Sequence, residues 1–491
     1  MSARQVLSAG MLACVVIIPS TALGQAVGSD ETPTTRLVVD PAATPRPSLR
    51  YLLLPGFAER KPGNAAPFYY RALLQLAHVE SSLTREQIEF RDESRAVDVD
   101  QLPRQQVREF LQRYTNVFSE VARAAYREEC DWDWGVREMT GEEFISLRLD
   151  EAQQTRAIAR ALALRARLEI AEGNYDAAIE TLRLGYQMAH DVAKQQMLIS
   201  SLVGMAIVGI MNQQLEALIA APDSPNLYWA LTTLPQPFID VRDDMEREIN
   251  VIPQMFPYLI DADTSDRSPE QWRSLLTKSM HAIMNGSYEV SQAQPDARSR
   301  WMTLAAVMQG YPAAKRALAE RGYSPDDIEQ MPVGKVIAVH VSQLNRYVSD
   351  ELRKWTYLPY SEARQRIRQT ETRLRAERVY GPLGNTLQTI PVTSHLFPAV
   401  GQALHAAVRR DLAFAAHRVI EAIRMQAAAN QGKLPESLAD VTIVPAPDNP
   451  LTGEPFPYQV DGTTAVLTLP TTLPGDPRFG RIYEITVRQA D

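Results

Sequence analysis

The segment DWDW carries the most unusual side chains of this sequence, two tryptophans that alternate with two carboxylates. On a loop, Trp132 and Trp134 would display aromatic faces beside Asp131 and Asp133, a combination that suits the binding of a polar ligand such as a sugar. Tryptophan is usually highly buried, so the two rings can instead fill gaps in the core beside Cys130. We favour core packing, and we retain Asp131, Trp132, Asp133 and Trp134 as candidate ligand-binding residues.

Familiar catalytic and metal-binding patterns are not found in the sequence. The seven histidines form no His-Glu-x-x-His or similar ligand pair. Neither a Gly-x-Ser-x-Gly elbow nor a phosphate-binding glycine loop occurs. The polar stretch from Asp261 begins like a calcium loop, but Asp266 stands where an EF-hand requires glycine and Trp272 where it requires glutamate. The sequence therefore predicts no catalytic residue, no metal site and no cofactor.

Two pairs of neighbouring carboxylates leave one enzymatic alternative open. Glu142 adjoins Glu143, and Glu246 lies two residues before Glu248. Glycosidases position their carboxylates in space and not by sequence spacing, so neither pair specifies such a site or excludes it. A secreted hydrolase acting on a glycan or another polymer is the alternative to a non-catalytic protein.

The charge balance argues against a nucleic-acid partner. The 491 residues carry a formal net charge of -8. Residues 1–24 contain Arg4 and no acid, so the remainder has 50 basic and 59 acidic residues, a net charge of -9. Phosphate backbones are bound by basic surfaces. Hydrophobic residues at 45% and charged residues at 22% are ordinary for a folded chain, and 491 residues can bury a large core.

The first 24 residues have the pattern of a signal peptide. Arg4 precedes the apolar run VLSAGMLACVVII, and the small residues of PSTALGQA follow. The run is short for a membrane span, which favours cleavage over retention as an anchor. Cleavage would leave Cys130 alone, without an internal disulfide partner. We expect an exported protein, periplasmic or extracellular, with no stable membrane span, since the later apolar stretch Leu202–Met211 is short and typical of a buried helix.

Behind the leader, composition divides the chain into four parts. Residues 25–50 are rich in proline, threonine and serine and predict a flexible linker. Residues 51–380 have mostly helical periodicity and form the predicted body. Residues 381–400 are a proline- and glycine-containing linker. Residues 401–491 form a small α+β module, in which a long helix leads to an antiparallel sheet.

One helical hairpin of the body is especially clear. Gly173 separates two amphipathic segments, and the second carries the small residues Ala178, Gly185 and Ala189 on one stripe. We expect these small residues to let the two helices of the hairpin approach closely. The stretch EGNYDAAIETL resembles the inter-helix turn of a tetratricopeptide repeat, but no second copy follows at the period of 34 residues. An irregular helical-hairpin body with solenoid-like pairs is predicted.

The module begins with a long helix over about Gln402–Asn430. A hairpin is predicted at Asp461 and Gly462, and Tyr483, Ile485 and Val487 alternate in a last strand. This region resembles the C-terminal region of type II secretion pseudopilins. The residues that carry the resemblance are Gly432, Leu434, Pro435, Leu438, Asn449, Pro450, Gly453, Pro455 and Tyr458. The resemblance implies a helix joined to a small sheet, and a role as an accessory component of a secretion system. Asn449 stands where that family usually has aspartate, so calcium binding is not implied.

Most of the chain is also similar to exported helical proteins of planctomycete-type bacteria. The segments concerned are LLP, PGNAAPFYYRA, CDWDWG, SPNLYWALTTLP and LPESL with NPLTGEPFPY. This resemblance implies export and no particular activity. We expect a mainly α protein and favour a non-catalytic role over an enzymatic one. Its predicted role is exported, non-catalytic binding or scaffolding in the cell envelope, with protein partners there, in an oligomeric state that the sequence leaves open.

Overall fold

The computed structural model describes residues 31–135, 150–195, 197–285, 293–376, 391–472 and 475–488. Within these ranges the protein is mainly helical with a small C-terminal sheet, which confirms the predicted fold class. The predicted signal peptide, residues 381–390 of the second predicted linker and the pair Glu142 and Glu143 lie outside the described residues.

The elements are named here in chain order. The first half contains β1 (Thr34–Val39), β2 (Lys61–Asn64), α1 (Ala66–Ser82), α2 (Arg85–Ser94), α3 (Arg104–Leu111), α4 (Thr115–Ala125), β3 (Arg127–Glu129), α5 (Asp150–Ala171), α6 (Tyr175–Ala193) and α7 (Leu198–Ala220). The second half contains α8 (Tyr228–Thr232), α9 (Arg242–Met255), α10 (Pro269–Asn285), α11 (Ala297–Glu320), α12 (Pro325–Gln330), α13 (Val333–Arg353), α14 (Tyr360–Ala376), α15 (Pro391–Ala429), β4 (Tyr458–Asp461), β5 (Thr464–Leu469) and β6 (Arg481–Val487).

Helices α5, α6 and α7 pack against one another at the centre of the body. The predicted turn lies between α5 and α6, where Gly173 has a φ of 72°, a conformation that glycine adopts without steric cost. The small residues of α6 serve a different contact from the predicted one. A Cβ atom at Gly185 would lie 2.2 Å from the Sδ of Met211, and a Cβ atom at Gly204 would lie 2.6 Å from the carbonyl oxygen of Ala189. The close approach is therefore between α6 and α7, because glycines on both helices face that interface.

Helix α7 contains the apolar stretch that the sequence analysis assigned to the core. By length and composition this helix could cross a membrane, but 72% of its most apolar window is buried inside the protein. It packs against α5, α6, α9, α15 and β1. Burial from several sides explains why its apolar residues surround the helix and do not form one stripe.

The second half of the body is a further layer of helices. Helices α10, α11 and α13 pack on one another, and α13 also contacts α9 and α14. Helix α9 in turn contacts α7 and α15, which connects this layer to the centre of the body.

Helix α15 joins the helical body to the sheet. Its predicted apolar stripe faces the core, since Val408, Leu412, Val419 and Ala422 are all buried. The helix begins at Pro391, so residues 391–400 are helical and are not part of a linker as the composition predicted. Proline suits the first position of a helix, where its missing N–H group has no partner to bond.

The sheet contains one strand that composition did not predict. Strands β4, β5 and β6 are antiparallel, as expected, with a turn at Gly462, where φ is 61°. The fourth strand is β1, which pairs in parallel with β6 at the edge of the sheet. It falls within residues 25–50, so the prediction of a linker is wrong at Thr34–Val39. Leu37 and Val39 are buried beside β6, and that burial outweighs the linker-like composition around them.

The connector between α15 and the sheet is held by its own hydrogen bonds. Gly432 has a φ of 80° directly after the helix. Asn449 accepts a hydrogen bond from the N–H of Leu451 through its side chain and one from the N–H of Gly453 through its backbone. The Tyr458 hydroxyl donates to the carbonyl oxygen of Pro435 at 2.9 Å. These contacts fix the turn that leads from the helix to β4.

A fully buried ion pair stabilises the junction of α15 with the rest of the chain. Arg424 donates from Nη1 to both carboxylate oxygens of Glu421, at 2.9 and 3.1 Å, and neither side chain has any exposed surface. The same guanidinium donates to the carbonyl oxygens of Asp40 and Ser224. Asn226 donates to the carbonyl oxygen of Glu421 at 2.8 Å. The N-terminal segment and the loop before α8 are thereby bound to one turn of α15.

Removing the arginine should destabilise the protein strongly. In Arg424→Met, Glu421 would remain buried without its counter-charge, and we expect the free energy of unfolding to fall by ~3–5 kcal/mol. Urea denaturation followed by circular dichroism measures this change. Arg85→Met is the control, because its pair with Glu89 is exposed, at 91% and 54%, and should change stability by under ~0.5 kcal/mol. Equal effects of the two substitutions would contradict the assigned role of the buried pair.

Candidate functional site

The structure places Trp132 in the core. Its side chain is 3% exposed, and its Nε1 donates to the carbonyl oxygen of Asp191 at 2.9 Å. Its ring stacks on Tyr69 with a centroid separation of 5.5 Å and meets Tyr70 edge-on at 5.4 Å. The tryptophan therefore connects α1 to the C-terminal end of α6.

The other three candidate residues lie around this anchor. Trp134 is partly buried, and its Nε1 donates to the hydroxyl oxygen of Tyr70 at 2.7 Å. Asp131 and Asp133 are exposed, and the Asp131 carboxylate accepts from the N–H of Asp133 at 3.0 Å. Asp133 has a φ of 51°, which aspartate tolerates better than most residues. Both indole N–H groups thus have protein acceptors, and the two carboxylates border the aromatic cluster at the surface.

The side chain of Asp191 collects the polar contacts beneath the tryptophans. Its carboxylate accepts from the Tyr69 hydroxyl at 2.9 Å, from Gln187 at 3.0 Å and from Lys194 at 3.1 Å. Burial raises its pKa above the ordinary value, against the opposing effect of Lys194. The pKa of the Cys130 thiol is also raised, mainly by burial and to a smaller extent by the negative charge of Asp191. A thiol held in its protonated form is a poor nucleophile, so this cysteine is not activated.

If Trp132 has a packing role, its substitution should lower the stability of the protein. Trp132→Ala would remove a large ring from the core, and we expect the free energy of unfolding to fall by ~3–5 kcal/mol. Trp132→Phe keeps a ring but removes the indole N–H bond to the Asp191 carbonyl, which retains only the N–H of Lys194 at 3.2 Å. This loss should cost about 1 kcal/mol. Asp133→Asn retains the local conformation and should change stability by under ~0.5 kcal/mol. Chemical denaturation measures all three, and an unchanged midpoint in Trp132→Ala would refute the packing role.

Glu246 and Glu248 have different surroundings in the structure. Glu246 pairs with Arg353 at 2.6 Å. The pKa of Glu248 is raised to about 7, mainly by burial and to a smaller extent by the negative charge of Asp244. Asp244 itself is 5% exposed, accepts a hydrogen bond from Ser201, and has its pKa raised by burial to about 6. The close acidic pair is therefore Asp244 with Glu248, one helical turn apart on α9, at a spacing that places both on one face.

This acidic pair should make stability depend on pH. Because the folded-state pKa of Glu248 is about 7 and its ordinary value is 4.5, the folded protein binds more protons than the unfolded chain between those values. Stability should fall as the pH rises through this window. Glu248→Gln removes this loss of stability, because glutamine does not ionise. At pH values above the window, the free energy of unfolding of the variant should exceed that of wild type by ~1–3 kcal/mol.

The free energy of unfolding, measured across the window for both proteins, tests this prediction. Glu246→Gln is the matched control on the same helix and should retain the wild-type slope. A Glu248→Gln protein with the same slope as wild type would show that Glu248 ionises normally.

Sequence reasoning missed a polar cluster between α7, α15 and β6. The side chain of Glu216, on α7, accepts at one oxygen from Arg481 at 2.8 Å and from the Tyr483 hydroxyl at 2.8 Å. The Nε2 of His417 lies 3.2 Å from the same oxygen. His417 and Tyr483 have no exposed surface. These interactions lower the pKa of Glu216, with His417 and Arg481 outweighing burial, so its carboxylate stays charged. The residues lie far apart in sequence, and no local pattern could have grouped them.

Sequence reasoning also passed over an exposed apolar face on α11. Trp301, Leu304 and Met308 follow one another at helical spacing and are 71%, 49% and 70% exposed. Ala305 and Pro312 are exposed on the same side. Their spacing in the printed sequence was the available signal. We call Trp301, Leu304, Ala305, Met308 and Pro312 the α11 face.

A cavity of about 540 Å³ opens at the end of α15, beside the connector. Its walls include Lys433, Glu436 and Asp440. Across the described ranges, no three histidine, cysteine, aspartate or glutamate side chains lie close enough together to hold a metal ion.

Comparison with family models, curated proteins and solved structures gives no match to this chain. The functional assignment therefore rests on the surface and the buried groups described above.

Proposed function

We propose that this chain is an exported, non-catalytic binding or scaffolding protein of the cell envelope, and that a protein partner binds to the α11 face. The observation that carries the proposal is the exposure of Trp301, Leu304 and Met308 on one side of a helix. Contiguous exposed apolar groups of this kind mark interaction sites more often than isolated ones do. Export remains a prediction from the N-terminal sequence.

The composition of the α11 face favours a protein partner. Tryptophan and methionine are enriched at the centres of protein interfaces. Methionine has a flexible side chain that adapts to irregular partner surfaces. Arg298 and Arg300 are exposed beside Trp301 and would lie at the rim of such an interface. A partner with an apolar helix and acidic residues beside it would complement this arrangement.

The other predicted roles have less support. A hydrolase needs two carboxylates that reach a substrate together, but Asp244 is buried and Glu246 is paired with Arg353. A role as an accessory component of a secretion system rests on the resemblance of the C-terminal region to pseudopilins. The identity of the protein bound at the α11 face would distinguish that role from general scaffolding.

Substitution of the α11 face should abolish partner binding without unfolding the protein. We expect the double variant Trp301→Ser, Met308→Ser to bind its envelope partner at least thirtyfold more weakly, equivalent to about 2 kcal/mol, because exposed aromatic anchors dominate interface energetics. The tagged full-length chain is expressed with its leader, a photo-crosslinking residue is placed at Leu304, and adducts are identified by mass spectrometry. Recovery of the crosslinked partner is then compared between wild type and the double variant.

Leu74→Ser is the matched control, since Leu74 is 71% exposed on α1, away from the α11 face. It should retain partner recovery. Equal recovery by wild type and the double variant, or adducts composed only of a second copy of this chain, would refute the proposed partner site.

A further inference from the structure

Two consecutive arginines on α15, Arg409 and Arg410, lie at the junction with α7 and the sheet. The guanidinium of Arg410 rests on Gly209 of α7, where an added Cβ atom would lie 3.0 Å from Nη1 and 3.2 Å from Nη2. Arg409 lies over the ring of Phe479, with its Cζ 5.0 Å from the ring centroid. Glycine at position 209 therefore leaves room for a planar cation against the helix backbone.

Neither arginine has a carboxylate partner among the described residues. The Nε atoms of both side chains are buried and have no hydrogen-bond acceptor there. The pKa of Arg410 is lowered to about 9, mainly by burial and to a smaller extent by the positive charges of Arg409 and Arg481. Burial alone lowers the pKa of Arg409. Charges that are largely removed from water are usually paired in proteins, so two adjacent arginines without a described carboxylate partner leave an acceptor to be supplied from outside.

Three acids on the elements around this junction have other partners. Glu216 is bound by Arg481, Tyr483 and His417, as described above. Asp411 accepts from the backbone N–H of Phe238 at 3.0 Å.

Asp476, which precedes Phe479 in the chain, pairs with Arg478 at 2.7 Å. The junction therefore keeps an excess of positive charge that the described side chains do not neutralise.

We propose that Arg409 and Arg410 form a binding site for an oxyanion, a phosphate or sulfate group, at the junction of α7, α15 and β6. The guanidinium group suits this role because it presents several N–H donors in a plane that matches the oxygens of such anions. Arg409 and Arg410 are each partly exposed, which gives an anion access from solvent. An oxyanion bound there would supply the missing acceptors and balance the charge.

The same chemistry can come from two sources, free inorganic phosphate or sulfate, or an ester group on a larger molecule. Inorganic phosphate alone is the first probe. The purified full-length protein is titrated with up to about 100 mM phosphate at constant ionic strength, with chloride as the replaced anion, and its melting temperature is recorded. We expect phosphate to raise the melting temperature by at least about 2 °C.

Arg410→Gln should remove this response, and Arg410→Met serves as a second variant of similar length. Without phosphate, both variants should melt no lower than wild type, because each removes a largely desolvated charge that has no carboxylate partner among the described residues. Arg418→Gln is the matched control: it removes one positive charge from the same helix, where Arg418 lies over Tyr228, and it should retain the response. A direct titration by calorimetry should give binding for wild type and Arg418→Gln and none for Arg410→Gln.

Sulfate in place of phosphate, a sugar phosphate, and vesicles of phosphatidylglycerol distinguish the sources of the anion. Binding of any of them that depends on Arg410 supports the site. A wild-type protein that responds to phosphate no more than to chloride would overturn the proposal, as would an undiminished response in Arg410→Gln. The double variant of the α11 face should retain phosphate binding, so the two proposed sites can fail independently.

Discussion

The architecture depends on charged groups that are buried on α15 and fully satisfied there. Arg424 has no exposed surface, yet it binds Glu421 and the carbonyl oxygens of Asp40 and Ser224. A charge removed from water is tolerated only with a close counter-charge and a full set of hydrogen bonds. Because these partners come from three distant segments, the pair can be satisfied only when the N-terminal segment, the loop before α8 and α15 meet.

The contact of the N-terminal segment with α15 also positions the sheet against the helical body. Once the segment after β1 lies along α15, Leu37 and Val39 reach the sheet, and β1 completes it by pairing with β6. The sheet then presents Arg481 and Tyr483 to Glu216 on α7. Body and C-terminal region consequently share one hydrophobic core. Within that shared junction Arg409 and Arg410 differ from Arg424 and Arg481, whose guanidinium groups have described carboxylate partners.

The candidate residues of the sequence divide between core and surface. Trp132 packs on Tyr69 and bonds to Asp191, whereas Asp131 and Asp133 remain exposed. Core packing was favoured for both tryptophans from their residue type, and the structure buries Trp132 fully and Trp134 partly. Of the two groups that now carry functional proposals, the α11 face has helical spacing in the sequence but no sign of its exposure, and the arginines of α15 have no local signal. The exposure of Trp301, and the lack of a carboxylate partner for Arg410 among the described residues, are properties of the folded chain.

The sequence by itself determined the elements whose signals are local. Periodicity places the helices, Gly173 and Gly462 mark turns through their positive φ, and the alternation at Tyr483 predicts a strand. Only the tertiary structure decided which elements meet. Composition could not show that Thr34–Val39 pairs with β6, or that Gly185 faces α7, because pairing and close packing depend on residues far apart in the chain. The same reason applies to the buried charges, since the partners that satisfy them are brought together by folding alone.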